Sequence, residues 1–303
     1  MPQCIQCGAE TPREDMFGVG TDLRCPKCAQ QKRVVYTPRR SFSIKTDGPI
    51  TKVIIVIAAI IFILTSMPLD MTIGDFHPSQ VGFYLAAFPP AVWSGEVWRL
   101  VTSTLVHGDI FHVVFNCYWL WRFGPSLEGW MGKPLYVALF VVLAVSSVGA
   151  ELMATLSSAI GLSGVVYGMF GMLYALRKTK DFAAALMDQM TVQVMVFWFF
   201  LCILLTSSGT FGVANWAHGV GALVGWLIGW AYLQPMRKVL VPFVAVVSLL
   251  AGGSSYYMPW NSTYREFEVW RGQFTEEPKI FRIMINAPDG EPELDEIPSG
   301  KQP

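Results

Sequence analysis

Charge is what this chain has least of. Only 15% of its 303 residues are Asp, Glu, Lys or Arg, while 53% are hydrophobic; ordinary soluble proteins carry roughly 25% charged residues. That deficit excludes a conventional soluble domain and points to a membrane protein with several spans. Charges are scarcest near the middle of the apolar stretches, which works against a transporter or channel, where paired charges and broken helices sit at the midplane. No cleavable signal peptide is expected, because the first 51 residues are polar. The formal net charge is zero, and no nucleic acid is expected as a partner. Cysteine is sparse too: four lie near the start, and Cys117 and Cys202 fall in apolar stretches, where they read as small buried hydrophobes rather than a disulfide.

What is present is a series of long apolar runs. A bilayer core of roughly 30 Å needs about 20 residues of helix, and seven stretches qualify: Lys52 to Met67, Ile110 to Leu127, Pro134 to Leu156, Ile160 to Leu176, Thr191 to Ser207, Val213 to Leu233 and Val239 to Met258. Helices are forced, since unpaired backbone groups cannot face lipid. Nine Lys and Arg precede or open the first span, and Arg122, Lys133, Arg177, Lys178, Lys180, Arg237 and Lys238 fill the even junctions, whereas the odd junctions hold Arg99 alone. Their acids include Asp70, Asp75, Glu96, Asp109 and Glu151. The bias of basic residues towards the cytosol then places the N-terminus inside and the tail outside, in a multi-pass protein of a bacterial inner membrane. Spans two, four and six all run inward and start at one depth.

Polar groups inside spans are costly and mark a functional interior. The second span opens "HGDIFHVVFN", with His112 and Asn116 four residues apart on one helical face and His107 at the rim. The fourth opens with Gly161 and Ser163 in "GLSG"; the sixth opens "NWAHGVGALVG", with His218. Gly221, Gly225 and Gly229 form a stripe that lets another backbone approach, and Gly161, Gly164, Gly168 and Gly171 offer the matching face. Taken alone, the stripe has a second reading as packing, which any membrane bundle could use. Taken with Ser163 and His218, it would bring a hydroxyl and an imidazole from different spans into contact.

The set "GLSG" with Tyr167 four residues on, "AHGVGALVG" around His218, "HGDIFHVVFN" and Trp98-Arg99 in "EVWR" resembles the rhomboid family of intramembrane serine proteases over Lys52 to Leu233. The resemblance implies an all-α polytopic fold, a six-helix core with a seventh helix added after it. It implies that Ser163 is the nucleophile, His218 its base, and His112 and Asn116 part of an oxyanion hole. Gly161, Tyr167, Trp98 and Arg99 would support the site, Trp98 and Arg99 by shaping the loop before the second span; ordinary surface anchoring is the other reading of that pair. No acid lies in the sixth span or its flanking loops, so a dyad is expected, with Tyr167 holding the imidazole by ring contact. The implied partners are single-span membrane proteins and the lipid bilayer, and catalysis would need no cofactor. A relative that recognises membrane clients without cutting them is the rival class, and the intact Ser163 and His218 speak against it.

Both ends lie outside this core. Cys4, Cys7, Cys25 and Cys28 form C-x2-C-x17-C-x2-C, the spacing of a four-thiolate zinc site, so residues 1–29 read as a cytosolic zinc ribbon, open to a cytosolic partner. Residues 30–51 read as a basic linker against anionic lipid, 52–258 as the seven-span protease domain and 259–303 as an extracytoplasmic tail. The tail's end, rich in proline and acid, reads as disordered. Asn261-Ser262-Thr263 is a glycosylation sequon with meaning only in a eukaryotic secretory membrane.

Overall fold

The computed structural model describes residues 2–4, 7–17, 23–30, 47–68 and 77–272. Most of the basic linker and the acidic end of the tail lie outside the described residues. The chain divides into two compact units, Met1–Phe42 and Ser43–Pro303.

The first unit is built on its cysteines. A turn after Cys4 is closed by Gly8 N–H donating to Cys4 O at 2.8 Å, with Gly8 at φ +72°, and a short bridge pairs Gln3 with Glu10. A second bridge pairs Phe17 with Arg24 and leads into α1 (Pro26–Gln30), which Cys25 precedes and Cys28 joins. Among the described residues of this piece, the core is Cys4, Cys25 and Cys28 with Met16 packed against them. Chains of this size ordinarily need a metal or disulfides to hold a fold.

The second unit is helical. Its long helices are α2 (Pro49–Thr65), then, after the short helices α3 (Val81–Leu85), α4 (Pro89–Trp93) and α5 (Arg99–Thr102), α6 (Ile110–Met131), α7 (Lys133–Thr155) and α8 (Ser163–Leu176). There follow a short α9 (Asp181–Leu186), then α10 (Gln189–Ser207), α11 (Asn215–Leu233), α12 (Arg237–Gly253) and, beyond the last span, α13 (Ser262–Gly272). Each of the seven expected apolar stretches falls on one long helix. By length and composition, α7, α10 and the helical run Arg237–Tyr256 can cross a membrane, and α2 and α8 are shorter apolar helices. The fourth span starts at Ser163 rather than Ile160, because Gly161 takes φ +99° and no helix can pass through it.

Burial ranks the helices. In α8, ten of fourteen residues are buried, whereas α10 buries only Thr191, Met195 and Cys202 and α12 only Ser248 and Gly252. α8 is therefore the central helix, and α10 and α12 show most of their apolar surface outward. α8 and α11 pack backbone to backbone: a Cβ on Gly221 would overlap Gly164 O, one on Gly225 would overlap Gly168 O, and one on Gly229 would stand 2.8 Å from Met172 O. Without a hydrophobic drive between helices in lipid, such close van der Waals contact is what holds a pair together.

Polar knots fix the rest. Glu128 of α6 is buried and accepts from Ile50 N–H, Thr51 N–H and the Thr51 hydroxyl, each at 3.0 Å, satisfying the open first turn of α2. In the loop before α6, Arg99 is 1% exposed. It pairs with Glu96 at 2.6 Å, donates to Phe83 O and to Ala86 O, and its guanidinium lies 5.0 Å from the Phe88 ring centre. Removing one partner of so buried a pair strands the other's charge. Arg99→Ala is therefore expected to cost about 3–5 kcal/mol, read as a lower thermal midpoint in detergent. Arg99→Lys should recover part of it, because a single ammonium cannot reproduce the fork of contacts.

Candidate active site

The site is assembled at the N-terminal ends of α6, α8 and α11. Ser163 is the first residue of α8 and half-buried; His218 sits in the first turn of α11 and is 3% exposed. The glycine contact between these parallel helices sets their separation, and Ser163 Oγ lies 2.8 Å from His218 Nε2. This is hydrogen-bond distance between a hydroxyl and an imidazole nitrogen. The Tyr167 ring, one turn below Ser163, stacks on the imidazole at 4.8 Å with a 33° tilt. Tyr167 is itself pinned by its hydroxyl, which donates to Met195 O of α10 at 3.1 Å. His218 Nδ1 is buried and has no partner among the described residues, so no carboxylate orients the ring from behind.

The second wall is α6. Asp109 caps it by accepting from His112 N–H at 2.9 Å. The His112 ring lies against Gly161, where a Cβ would stand 2.5 Å from its Nε2, so any side chain at 161 would evict it. Asn116 is buried one turn on, and its amide donates one N–H to His112 O at 2.9 Å. Because that amide carries two donors, one remains for a ligand.

His107, read from the sequence as a rim or structural residue, holds the approach to Ser163. Its Nδ1 lies 3.2 Å from Leu105 O and its Nε2 accepts from Leu162 N–H at 3.4 Å, while Gly161 N–H donates to Ser103 O at 3.1 Å. Burial, followed by the neighbouring His112, lowers the His107 pKa to about 4. The ring is therefore neutral at pH 7 and keeps the lone pair that Leu162 N–H needs.

The residues named from the sequence divide as follows. Ser163, His218 and Tyr167 form one contact group, His112, Gly161 and Asn116 line the adjoining wall, and Arg99 is locked into the loop ahead of them. Trp98 is half exposed, and its ring packs on no other ring among the described residues. Two acids were read from the sequence only as loop charges. Glu96 is the buried partner of Arg99. Glu151 lies within α7, 4% exposed, and accepts from Ala217 N–H at 3.1 Å, satisfying a first-turn donor beside His218. A helix interrupted by an acid four residues before a threonine was the available signal, since Thr155 also donates to Glu151, at 3.2 Å.

A hydroxyl and an imidazole in contact at one end of an apolar helix bundle define a membrane protein with a serine–histidine site. Residues 94–235 match the family model described as Rhomboid domain. That segment is similar to a rhomboid domain, and Ser163, His218, His112, Asn116, Gly161, Tyr167, Trp98 and Arg99 all fall inside it. Among similar proteins is the Rhomboid protease GlpG of Salmonella choleraesuis, 30% identical over 194 residues, covering 63% of this chain and 66% of that protein. The Rhomboid protease GlpG of Photorhabdus laumondii is 27% identical over 183 residues, 60% of each chain. That of Yersinia pestis is 26% identical over 198 residues, 63% of this chain and 66% of that protein. The chain thus spans just under two thirds of the length of these relatives. The cysteine unit and α12 lie outside the matched segment.

The four cysteine Sγ atoms lie within 4.8 Å of one another, and Cys7 and Cys25 approach to 3.7 Å. A tetrahedral ion with metal–sulfur bonds near 2.3 Å sets its sulfurs roughly 3.8 Å apart, so the four thiols could hold a metal ion.

Proposed function

We propose that the protein is an intramembrane serine endopeptidase that cleaves single-span membrane proteins near the outer end of their helix. The contact of 2.8 Å between Ser163 Oγ and His218 Nε2 carries this reading. In it, His218 Nε2 takes the hydroxyl proton as Ser163 attacks the scissile carbonyl, then returns that proton to the leaving amine as an acyl-enzyme forms; water, activated the same way, releases the acid. The oxyanion would meet the second N–H of Asn116, a ring N–H of His112 and the first-turn N–H groups of α8, left unsatisfied within the helix. Each such donor is worth roughly 3–4 kcal/mol in soluble hydrolases. Tyr167, Gly161 and the loop held by Arg99 would keep these groups in register.

The proposed setting is a bacterial inner membrane, N-terminus in the cytosol and α13 outside. Cations support that direction: Arg177 lies over Tyr174 at 3.3 Å, and Lys180 and Arg237 flank Tyr232 at 5.5 and 5.3 Å, all at the ends of α8 and α11 remote from Ser163. The test is incubation of the wild type and Ser163→Ala with single-span proteins in liposomes, alongside a fluorophosphonate probe. A wild type that neither labels nor cuts would favour a client-binding role instead.

We assign zinc to the cysteine unit, where it would be structural and take no part in cleavage. One equivalent per chain is expected by metal analysis. Stripping it with a strong chelator should expose 1–42 to proteolysis, with the apparent folding energy falling by about 10 kcal/mol or more, as in small zinc domains. Ser163 should label at an unchanged rate; loss of labelling on chelation would overturn the purely structural role of the metal.

A further inference from the structure

The short helix α4 raises a question of support. Five residues cannot hold a helix in isolation, yet Ala91, Val92 and Trp93 are all buried. Val92 packs with Ala87, Leu100, Val148, Leu152 and Ala159, in the body of the matched segment and at its border. Trp93 turns the other way. It is 3% exposed, in a cluster with Met258, Tyr264 and Phe267. The Tyr264 ring meets it edge-on at 5.2 Å and the Phe267 ring at 5.3 Å. Its indole N–H donates to Ser255 O at 3.1 Å, and its carbonyl accepts from Arg271 at 3.4 Å. All of these partners come from beyond residue 235. Met153 and Leu156, at the end of α7, pack against the same cluster, so the C-terminal extension closes the pocket for Trp93 over the end of α7.

That extension is firmly seated. α12 crosses α7 with backbones in contact, since a Cβ on Gly149 would overlap Gly252 O and one on Gly252 would overlap Val145 O. Ser254 Oγ reaches Met153 Sδ at 3.6 Å. From Trp93 the contacts run a short way to the nucleophile. Ala87, two residues before α4, bridges Ala159, and Ala159 lies two residues before Gly161, whose backbone shapes the turn into Ser163 and seats His112.

We infer that α12 and α13 are a positioning brace for the site: by clamping Trp93 they hold α4 and, through the Ala87–Ala159 bridge, the turn from Leu156 to Ser163 in the geometry that Ser163 needs. Trp93, Tyr264 and Phe267 are its positioning residues. The inference rests on the reading of Ser163 as the nucleophile. It makes the reactivity of a site inside the matched domain depend on a helix that lies outside it, and it gives α13 a purpose that spanning a membrane does not supply. A misplacement of about 1 Å can cost a hundredfold in rate, so a loosened turn is expected to act on the chemical step rather than on capture of the substrate.

The experiment compares full-length wild type, Phe267→Ala and Phe267→Met in liposomes, well below their melting midpoints. Two quantities are read: the rate of fluorophosphonate labelling at Ser163, and hydrogen exchange of the backbone over 84–93 and 156–162. Phe267→Ala should label about tenfold more slowly and exchange faster in both segments, with kcat reduced and KM for a single-span substrate unchanged. Phe267→Met, which keeps the apolar volume, should restore all three. Exchange confined to 254–272 with labelling at the wild-type rate would overturn the brace. A wild type that does not label at all would overturn the nucleophile reading instead, and exchange in 156–162 would still report whether α13 holds the turn.

Discussion

Ser163→Ala is expected to reduce cleavage of a single-span substrate to background, and His218→Ala to lower it by roughly 10²–10⁴-fold, the range of a positioned general base. Both proteins should remain folded. Ser163 is half-buried, and its Oγ has one hydrogen-bond partner among the described residues, His218 Nε2, so alanine leaves neither a large cavity nor a new charge. At His218 the imidazole stacks on Tyr167, and its loss should lower the thermal midpoint by a few degrees without unfolding the bundle, whose helices are held by the glycine contact one and two turns further on. The His218→Ala protein should also lose fluorophosphonate labelling although Ser163 is still present. That result separates a dyad from a serine activated by the helix terminus alone: labelling of His218→Ala at the wild-type rate would refute the role of the imidazole. The double variant should be no worse than Ser163→Ala, because residues that act as one unit do not contribute additively.

How much of this was legible in the sequence depended on whether a residue acts through its own helix or through another. The glycine stripe could be read because its period belongs to one helix, and a small-residue face has few uses in lipid beyond close approach. Ser163 and His218 could then be joined across 55 residues, since both open helices running the same way. Glu151 could not be read in that manner. Its partner, Ala217 N–H, is a backbone group with no signature in the sequence, and a buried acid that satisfies a helix terminus looks the same as an acid that marks a junction. Glu96 and Glu128 are alike in this respect, each matched to groups visible only once helices have packed. Gly161 was legible as a small residue near a nucleophile, but its positive φ and the His112 ring that fills its missing side chain depend on two elements meeting. The aromatic residues Tyr264 and Phe267 of α13 are buried against a distant partner, and nothing in their spacing pointed to Trp93, which lies 171 residues before Tyr264. Local periodicity thus reveals faces, and long-range polar pairing stays hidden until the faces are brought together.

The second large effect is expected at Gly225. A methyl group there would sit inside the radius of Gly168 O and close to its carbonyl carbon, with Ala222 O and Gly171 opposed in the same fashion one turn away. The obstacle is backbone on a central helix, so no rotamer change relieves it. Either α11 retreats from α8, forfeiting the contacts at Gly221 and Gly229 together, or both helices bend. Overpacking of a well-filled core typically costs 1–3 kcal/mol and occasionally more; because two backbones must separate here, Gly225→Ala should lie at about 3 kcal/mol and Gly225→Leu beyond what the bundle tolerates. The same separation would carry His218 away from Ser163, so Gly225→Ala should lose labelling at temperatures where it is still folded. Gly219 supplies the control. It lies on the same helix one residue from His218, but a Cβ there would stand 3.9 Å from Phe199 Cζ, ordinary contact distance. Replacing that glycine with alanine should be neutral or slightly stabilising, by about 0.5–1 kcal/mol from helix propensity, with labelling preserved. Thermal unfolding and labelling rates of Gly225→Ala and Gly219→Ala, measured side by side, therefore decide whether the α8–α11 contact or the mere presence of glycine sustains the site. Equal stability of the two variants would mean that the backbones of α8 and α11 are not in contact at that level.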